Sequence, residues 1–154
     1  MRTVDAHRIA APIEAVWPHA TAVERWPAIL PHYRWVHRLE GTTAGDGLVE
    51  MSAWRPFGGP LDWPTWWCSR MWVDPEAREI RYRHVGGITT GMDVRWSLEA
   101  VDAMTTDVTI VHEWGGPGWP LIGGLAASLV IGPVFVSGIA SRTLAGIARA
   151  AERA

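Results

Sequence analysis

Residues 2–9 exchange polar and apolar side chains at nearly every step, the pattern of a half-buried strand. Ala11-Pro12 stops it, because proline cannot donate to a sheet ladder and suits the first turn of a helix. Two short helices are predicted next, over 12–19 and 22–30, the second interrupted by Pro27 and closed by Pro31. From residue 32 onward the period falls to two. Strands are predicted at 32–40, 47–54, 65–74, 78–85, 91–101 and 105–114, with turn signals at Gly45-Asp46-Gly47, Asp74-Pro75 and Gly86-Gly87. Strands in series without intervening helices define an antiparallel meander.

The alternation also sorts side chains by face. Met92, Val94, Trp96 and Leu98 point one way, and Asp93, Arg95, Ser97 and Glu99 the other. The first set is assigned inward, together with Val108, Ile110, His112 and Trp114, and with Ile80, Tyr82 and His84. Arg70, Arg81, Arg83 and Arg95 fall on the outer face. A stretch of 28 residues, Trp114 to Ser141, then carries no charge. Its seven glycines and three prolines argue against a continuous helix across a bilayer, and leave peripheral membrane contact or a dimer contact as readings. From Pro133 a helical period resumes, with Val136, Ile139, Ala140, Thr143, Leu144, Ile147, Ala150 and Ala151 on one face and Arg142, Arg149 and Arg153 on the other.

At 154 residues the whole chain, 1–154, is read as a single domain. A formal net charge of −2 lacks the cationic excess that tracking a phosphate backbone requires, so nucleic acid is not an expected partner. All fourteen basic residues are arginine, which excludes Schiff-base lysine chemistry. Cys68 is the only cysteine, and the first ten residues lack a signal-peptide apolar run; both predict a cytoplasmic protein. Eleven tryptophans against two tyrosines and two phenylalanines exceed what a small core ordinarily takes. About half of those rings are expected in a cavity wall, by analogy with the aromatic lining of ligand pockets.

Ala11-Pro12-Ile13-Glu14-Ala15-Val16-Trp17, followed by Val23-Glu24-Arg25-Trp26-Pro27, resembles the opening of the SRPBCC, or START-like, superfamily, particularly its polyketide cyclase/dehydrase and coenzyme-Q-binding members. Cys68 to Pro75, with Arg78 to Val85, resembles their paired central strands. The resemblance covers nearly the whole chain. It implies an α+β helix-grip fold: a curved antiparallel sheet of about seven strands, two short helices after the first, and a long C-terminal helix lying across a cavity. It also implies a small hydrophobic ligand, aromatic, polyketide-like, quinone or lipid. Set beside the bacterial aromatase/cyclases that act on carrier-bound polyketides, Trp26 and Tyr33 are similar to a pocket indole and phenol, and Trp67, Ser69 and Trp96 to inward strand residues. Where those enzymes present a pocket arginine, the register here puts Met71 inside and Arg70 outside; His84 stands where they carry a second arginine.

The candidate ligand-binding residues are therefore Trp26, Tyr33, Trp67, Ser69, Met71, His84, Trp96 and His112, with Ile139 from the last helix. The catalytic candidates are Tyr33, donating to a carbonyl, His84, assisting proton removal, and Ser69, giving a polar contact. The plainer alternative for each is a hydrogen-bonded wall of the core. Ser69 has no triad spacing or nucleophile elbow, so hydrolase chemistry is not expected. His84 and His112 find no third ligand nearby, since Glu50 reads as outward, so neither metal nor cofactor is expected. Three functions are carried forward: a carrier of a small hydrophobic molecule, a cyclase or dehydratase using Tyr33, Ser69 and His84, and an assembly or peripheral-membrane interaction protein acting through residues 114–141. An acyl carrier protein is the partner that the outer arginines would meet in the second case. The Trp54–Trp63 segment reads as an ordinary turn or as a loop that moves over an opening, and Gly115–Gly124 as a lid near the cavity mouth or a dimer contact.

Overall fold

The computed structural model describes residues 1–56, 62–117 and 136–154. Strand β1 (Arg2–Ile9) leads into α1 (Ile13–Thr21), a 3-10 turn (Val23–Arg25) and α2 (Trp26–Ile29). Then come β2 (Tyr33–Gly41), β3 (Gly47–Pro56), β4 (Asp62–Asp74), β5 (Glu79–Gly87), β6 (Asp93–Asp102) and β7 (Thr105–Glu113), and helix α3 (Ser137–Glu152). The segment predicted as one helix over 22–30 is thus split. Pro27 sits in the first turn of α2, where its missing N–H costs nothing, so it starts a helix instead of interrupting one. The part of the last helix expected from Pro133, and the expected covers over 57–61 and 118–124, lie outside the described residues.

The seven strands form one antiparallel sheet in the order β1-β7-β6-β5-β4-β3-β2. The amino group of Met1 donates to the Trp114 carbonyl at 2.8 Å, tying the chain's start beside the end of β7. Helix α3 lies over the inner face against β1, β3 and α1, which is the helix-grip arrangement. The inward rows are those expected from alternation: Ile80, Trp96 and Ile110 pair across β5, β6 and β7, and all are at most 4% exposed. Each buried aliphatic side chain of this size contributes about 1.5–3 kcal/mol.

Two β-bulges decide what faces inward. On β5, Ser69 pairs with His84 and Cys68 with Gly86, so Val85 is the extra residue and is turned out to solvent. Because the insertion is in β5, the alternation of β4 is unbroken: Met71 is fully buried, and Arg70 turns out to meet Glu40 at 3.0 Å. On β2 the register shifts between Tyr33 and Trp35, and this brings Tyr33, Val36 and Arg38 to the inner side. Strict alternation from Tyr33 would have put Arg38 outside.

The buried stripe of α3 is broader than its helical period suggests. Gly146 and Ala148 are buried as well as most of the expected residues, whereas Ile139 and Ala150 are only partly so. Gly146 is where α3 approaches Leu30: a Cβ there would stand 2.2 Å from Leu30 Cδ2, and Leu30 is fully buried. Gly146→Ala is expected to lower stability by about 1–3 kcal/mol through overpacking. Helix propensity alone would raise it by about 1 kcal/mol, so the sign of the shift in thermal midpoint decides between packing and propensity.

Candidate functional site

A cavity of about 90 Å³ lies between the sheet and α3. One wall is a continuous series of rings. Trp96 stacks on Trp26 (centroids 5.7 Å, planes at 26°), and Trp26 meets the edge of Tyr33 at 5.1 Å. Tyr33 meets Trp67 at 6.1 Å, and Trp67 stacks on His84 at 6.1 Å with planes at 13°. These offset and edge-on contacts suit the quadrupoles of the rings. Trp26 is fixed by its indole N–H, which donates to the His19 carbonyl at 2.8 Å. The remaining wall is mainly apolar, with Met51, Met92, Val94, Ile110, Val136, Ile139 and Ala140, and carries the Tyr82 phenol and hydroxyls from Thr65, Thr89 and Thr143.

The expected site residues fall into two groups. Trp26, Tyr33, Trp67, His84, Trp96, His112 and Ile139 all line the cavity. Ser69 and Met71 do not. They are on the inner face and fully buried, but farther along β4, in the filled part of the core. The Ser69 hydroxyl has no hydrogen-bond partner among the described residues. The share of indoles in the wall is smaller than the expected half: among the described residues Trp26, Trp67 and Trp96 line the cavity, while Trp54, Trp63, Trp66 and Trp72 are exposed.

The polar groups are held by partners that sequence patterns did not reveal. Thr143 donates to the Ile139 carbonyl at 2.8 Å, so its oxygen accepts from His32 Nε2 at 3.0 Å. Burial raises the Tyr33 pKa, so it stays a phenol able to donate to a ligand carbonyl. His84 Nδ1 lies 2.6 Å from the Thr89 hydroxyl, on the turn after β5, which leaves Nε2 as the nitrogen available to a ligand. His112 Nδ1 is 3.4 Å from the Thr3 hydroxyl of β1. Burial lowers His84 to about 4. Burial, then the neighbouring His84, lowers His112 to about 3. Both are therefore neutral imidazoles near pH 7, able to accept or donate one hydrogen bond but not to act as cations.

An arginine does reach the region behind Met71, but from another strand. Arg38 Nη2 is 3.9 Å from Met71 Sδ; its guanidinium also pairs with Glu24 and donates to the Gly45 carbonyl at 3.0 Å. That cation is spent on a structural clamp between the 3-10 turn and the β2–β3 turn, and it does not line the cavity. Among the described residues no group of three or more His, Cys, Asp or Glu could hold a metal ion.

A pH dependence follows. His32, lowered to about 4 by burial and then by Arg142 and Arg149, joins His84 and His112 in resisting protonation in the folded state. The unfolded chain takes up these protons near 6.5, so stability is full above that pH and falls as pH drops toward 4. Thermal midpoints measured across that window should fall with pH, and His84→Gln should flatten the slope. A flat profile in the wild type would contradict the burial assigned to the three rings.

Comparison with known proteins agrees with this architecture. A family model described as polyketide cyclase / dehydrase and lipid transport matches residues 9–133, and the chain belongs to that family. The Zhui aromatase/cyclase of a Streptomyces species superposes with a TM-score of 0.81 at 24% identity, over 99% of this chain and 94% of that one. A Thermus thermophilus protein gives 0.79 at 17% identity, over 99% and 98%. A START superfamily protein of Mycobacterium smegmatis gives 0.68 at 16% identity, over 99% and 94%. These likenesses show the shared fold. No curated protein sequence matches the chain.

Proposed function

We propose that the protein binds one small, flat, hydrophobic molecule, aromatic or quinone-like, in the cavity between sheet and α3. The observation that carries this reading is the ring series from Trp96 to His84, with two neutral imidazoles and a few hydroxyls in a mainly apolar wall. Flat rings stack on such a wall, and a ligand oxygen finds a partner at His84 or His112 without a full charge being buried. The cavity is open on one side, and its volume of about 90 Å³ is well below the ~300 Å³ of a drug-sized pocket, so a flat ligand has about one ring inside and extends through the opening, and a folded polyketide chain does not fit.

The second reading is a cyclase or dehydratase, favoured by the family and by His84, a neutral imidazole with one nitrogen free to accept a proton. Ser69, outside the cavity, takes no part in it. The outer arginines lend little to a carrier-protein partner, because Arg70, Arg81 and Arg83 are paired with Glu40, Glu79 and Asp93. The two readings part on one comparison: quenching of tryptophan emission by 1-naphthol and menadione, alongside product analysis on a β-polyketone thioester. A carrier gives saturable quenching and no product. A cyclase gives product that His84→Ala or Tyr33→Phe abolishes, while affinity stays within about a few fold.

A further inference from the structure

Thr89 stands in the turn between β5 and β6, half-buried in the cavity wall, with its hydroxyl oxygen 2.6 Å from His84 Nδ1. The turn that carries it is bonded on several sides. The His84 N–H donates to the Met92 carbonyl at 2.9 Å, the Gly91 N–H to the His84 carbonyl at 2.8 Å, and the Thr90 hydroxyl to the Gly87 carbonyl at 2.6 Å. From just past β7 the buried Trp114 donates its indole N–H to the Thr90 carbonyl at 3.0 Å. The near-parallel ring of Trp67 holds the imidazole plane. A flip of that imidazole would bring Cδ2 to the same 2.6 Å from the hydroxyl, well inside the ~3.3 Å at which C–H groups meet oxygen, so the ring orientation is fixed.

Two observations decide which partner gives the hydrogen. A separation of 2.6 Å is short for an N–H donor, whose bonds to oxygen run from about 2.7 to 3.2 Å, and ordinary for an O–H donor, at about 2.5–3.0 Å. The Thr89 hydroxyl also has no acceptor among the described residues other than this nitrogen. Were Nδ1 protonated, that half-buried O–H would go unpaired. His84 is neutral near pH 7, so a ring that accepts at Nδ1 carries its one proton at Nε2.

We propose that Thr89 is a positioning residue that sets His84 as the Nε2–H tautomer, so that His84 donates to the ligand, and that the ligand is a flat ring bearing a carbonyl or other acceptor oxygen. The ligand half rests on the cavity-binding reading; the tautomer does not. The wall suits such a ligand. Among the described residues no Asp or Glu lines the cavity to accept a hydrogen bond from a ligand donor, and Tyr33, joined to His84 through Trp67 in the ring series, is a second donor. The base role of the second reading needs the opposite tautomer, so the Thr89 bond has to reverse before His84 takes a proton.

Nitrogen NMR of protein isotope-labelled in its histidines reads the tautomer without any ligand, and the spectrum of His84→Gln identifies the resonances. The wild type should show Nδ1 bare and Nε2 protonated. Thr89→Ser should keep that pattern, and Thr89→Val, of the same shape without the hydroxyl, should lose it. An Nδ1-protonated ring in the wild type, or a pattern that Thr89→Val leaves untouched, overturns the proposal. The ligand class is read by tryptophan quenching with menadione and 2-methylnaphthalene, which differ only in the carbonyl oxygens. His84→Leu should weaken menadione by about fivefold or more, the worth of one hydrogen bond, and leave 2-methylnaphthalene within about twofold. His84→Gln, which keeps an N–H near the place of Nε2, should recover most of the loss. Equal effects on the two compounds overturn the donor role. A wild type that binds neither compound overturns the cavity reading and the ligand half with it, while the NMR result decides the tautomer on its own.

Discussion

Trp96→Ala should lower the free energy of unfolding by about 3–5 kcal/mol, the range for aromatic truncations in a core. Trp96 is 4% exposed on β6, between Ile80 and Ile110, and it stacks on Trp26. The void left by its removal would join the existing cavity, and walls anchored by a sheet on one side and α3 on the other cannot collapse to fill it. Urea titration measures the loss directly. A cost below about 1 kcal/mol would mean that the indole is not packed between those strands and α2.

Trp67→Ala should act on the ligand more than on the fold. Trp67 is only partly buried, so its truncation costs less stability than that of Trp96. It nevertheless joins Tyr33 to His84 in the ring series and offers its face to the cavity. Affinity for a planar ligand such as 1-naphthol is expected to fall by about tenfold or more. Trp67→Phe should recover much of it, because a smaller ring still stacks. Unchanged affinity in Trp67→Ala would move the ligand away from the ring wall, whereas equal losses of stability and affinity would make Trp67 a core residue alone.

The elements were legible because the two periodicities in this chain are clean. Alternation from residue 78 to residue 113 gave the inner face of three strands residue by residue, and Pro12 marked the start of α1. The face of Met71 was legible too, since the bulge that disturbs that strand pair lies in β5. Other features depend on contacts that no local pattern carries. The bulge on β2 brings Arg38 inside, and nothing in Arg34-Trp35-Val36 announces it. Thr143 lies far from His32 in sequence, and only the docking of α3 brings its hydroxyl to the imidazole. Ser69 was placed correctly on the inner face but wrongly in the cavity, because alternation gives a side chain's face and not its depth along the strand. The exposed tryptophans answer the excess of indoles noted in the sequence: the outer face and the exposed start of β4 take rings that the cavity wall does not.

The central claim is that the cavity holds one small apolar molecule. Native mass spectrometry of the purified protein, followed by denaturation and identification of whatever is released, tests it most directly. The account predicts a single adduct at near-stoichiometric occupancy, either as isolated or after incubation with 1-naphthol or menadione, which denaturation releases and Trp67→Ala weakens. A bare mass under both conditions, with tryptophan emission unmoved by either compound, would contradict it.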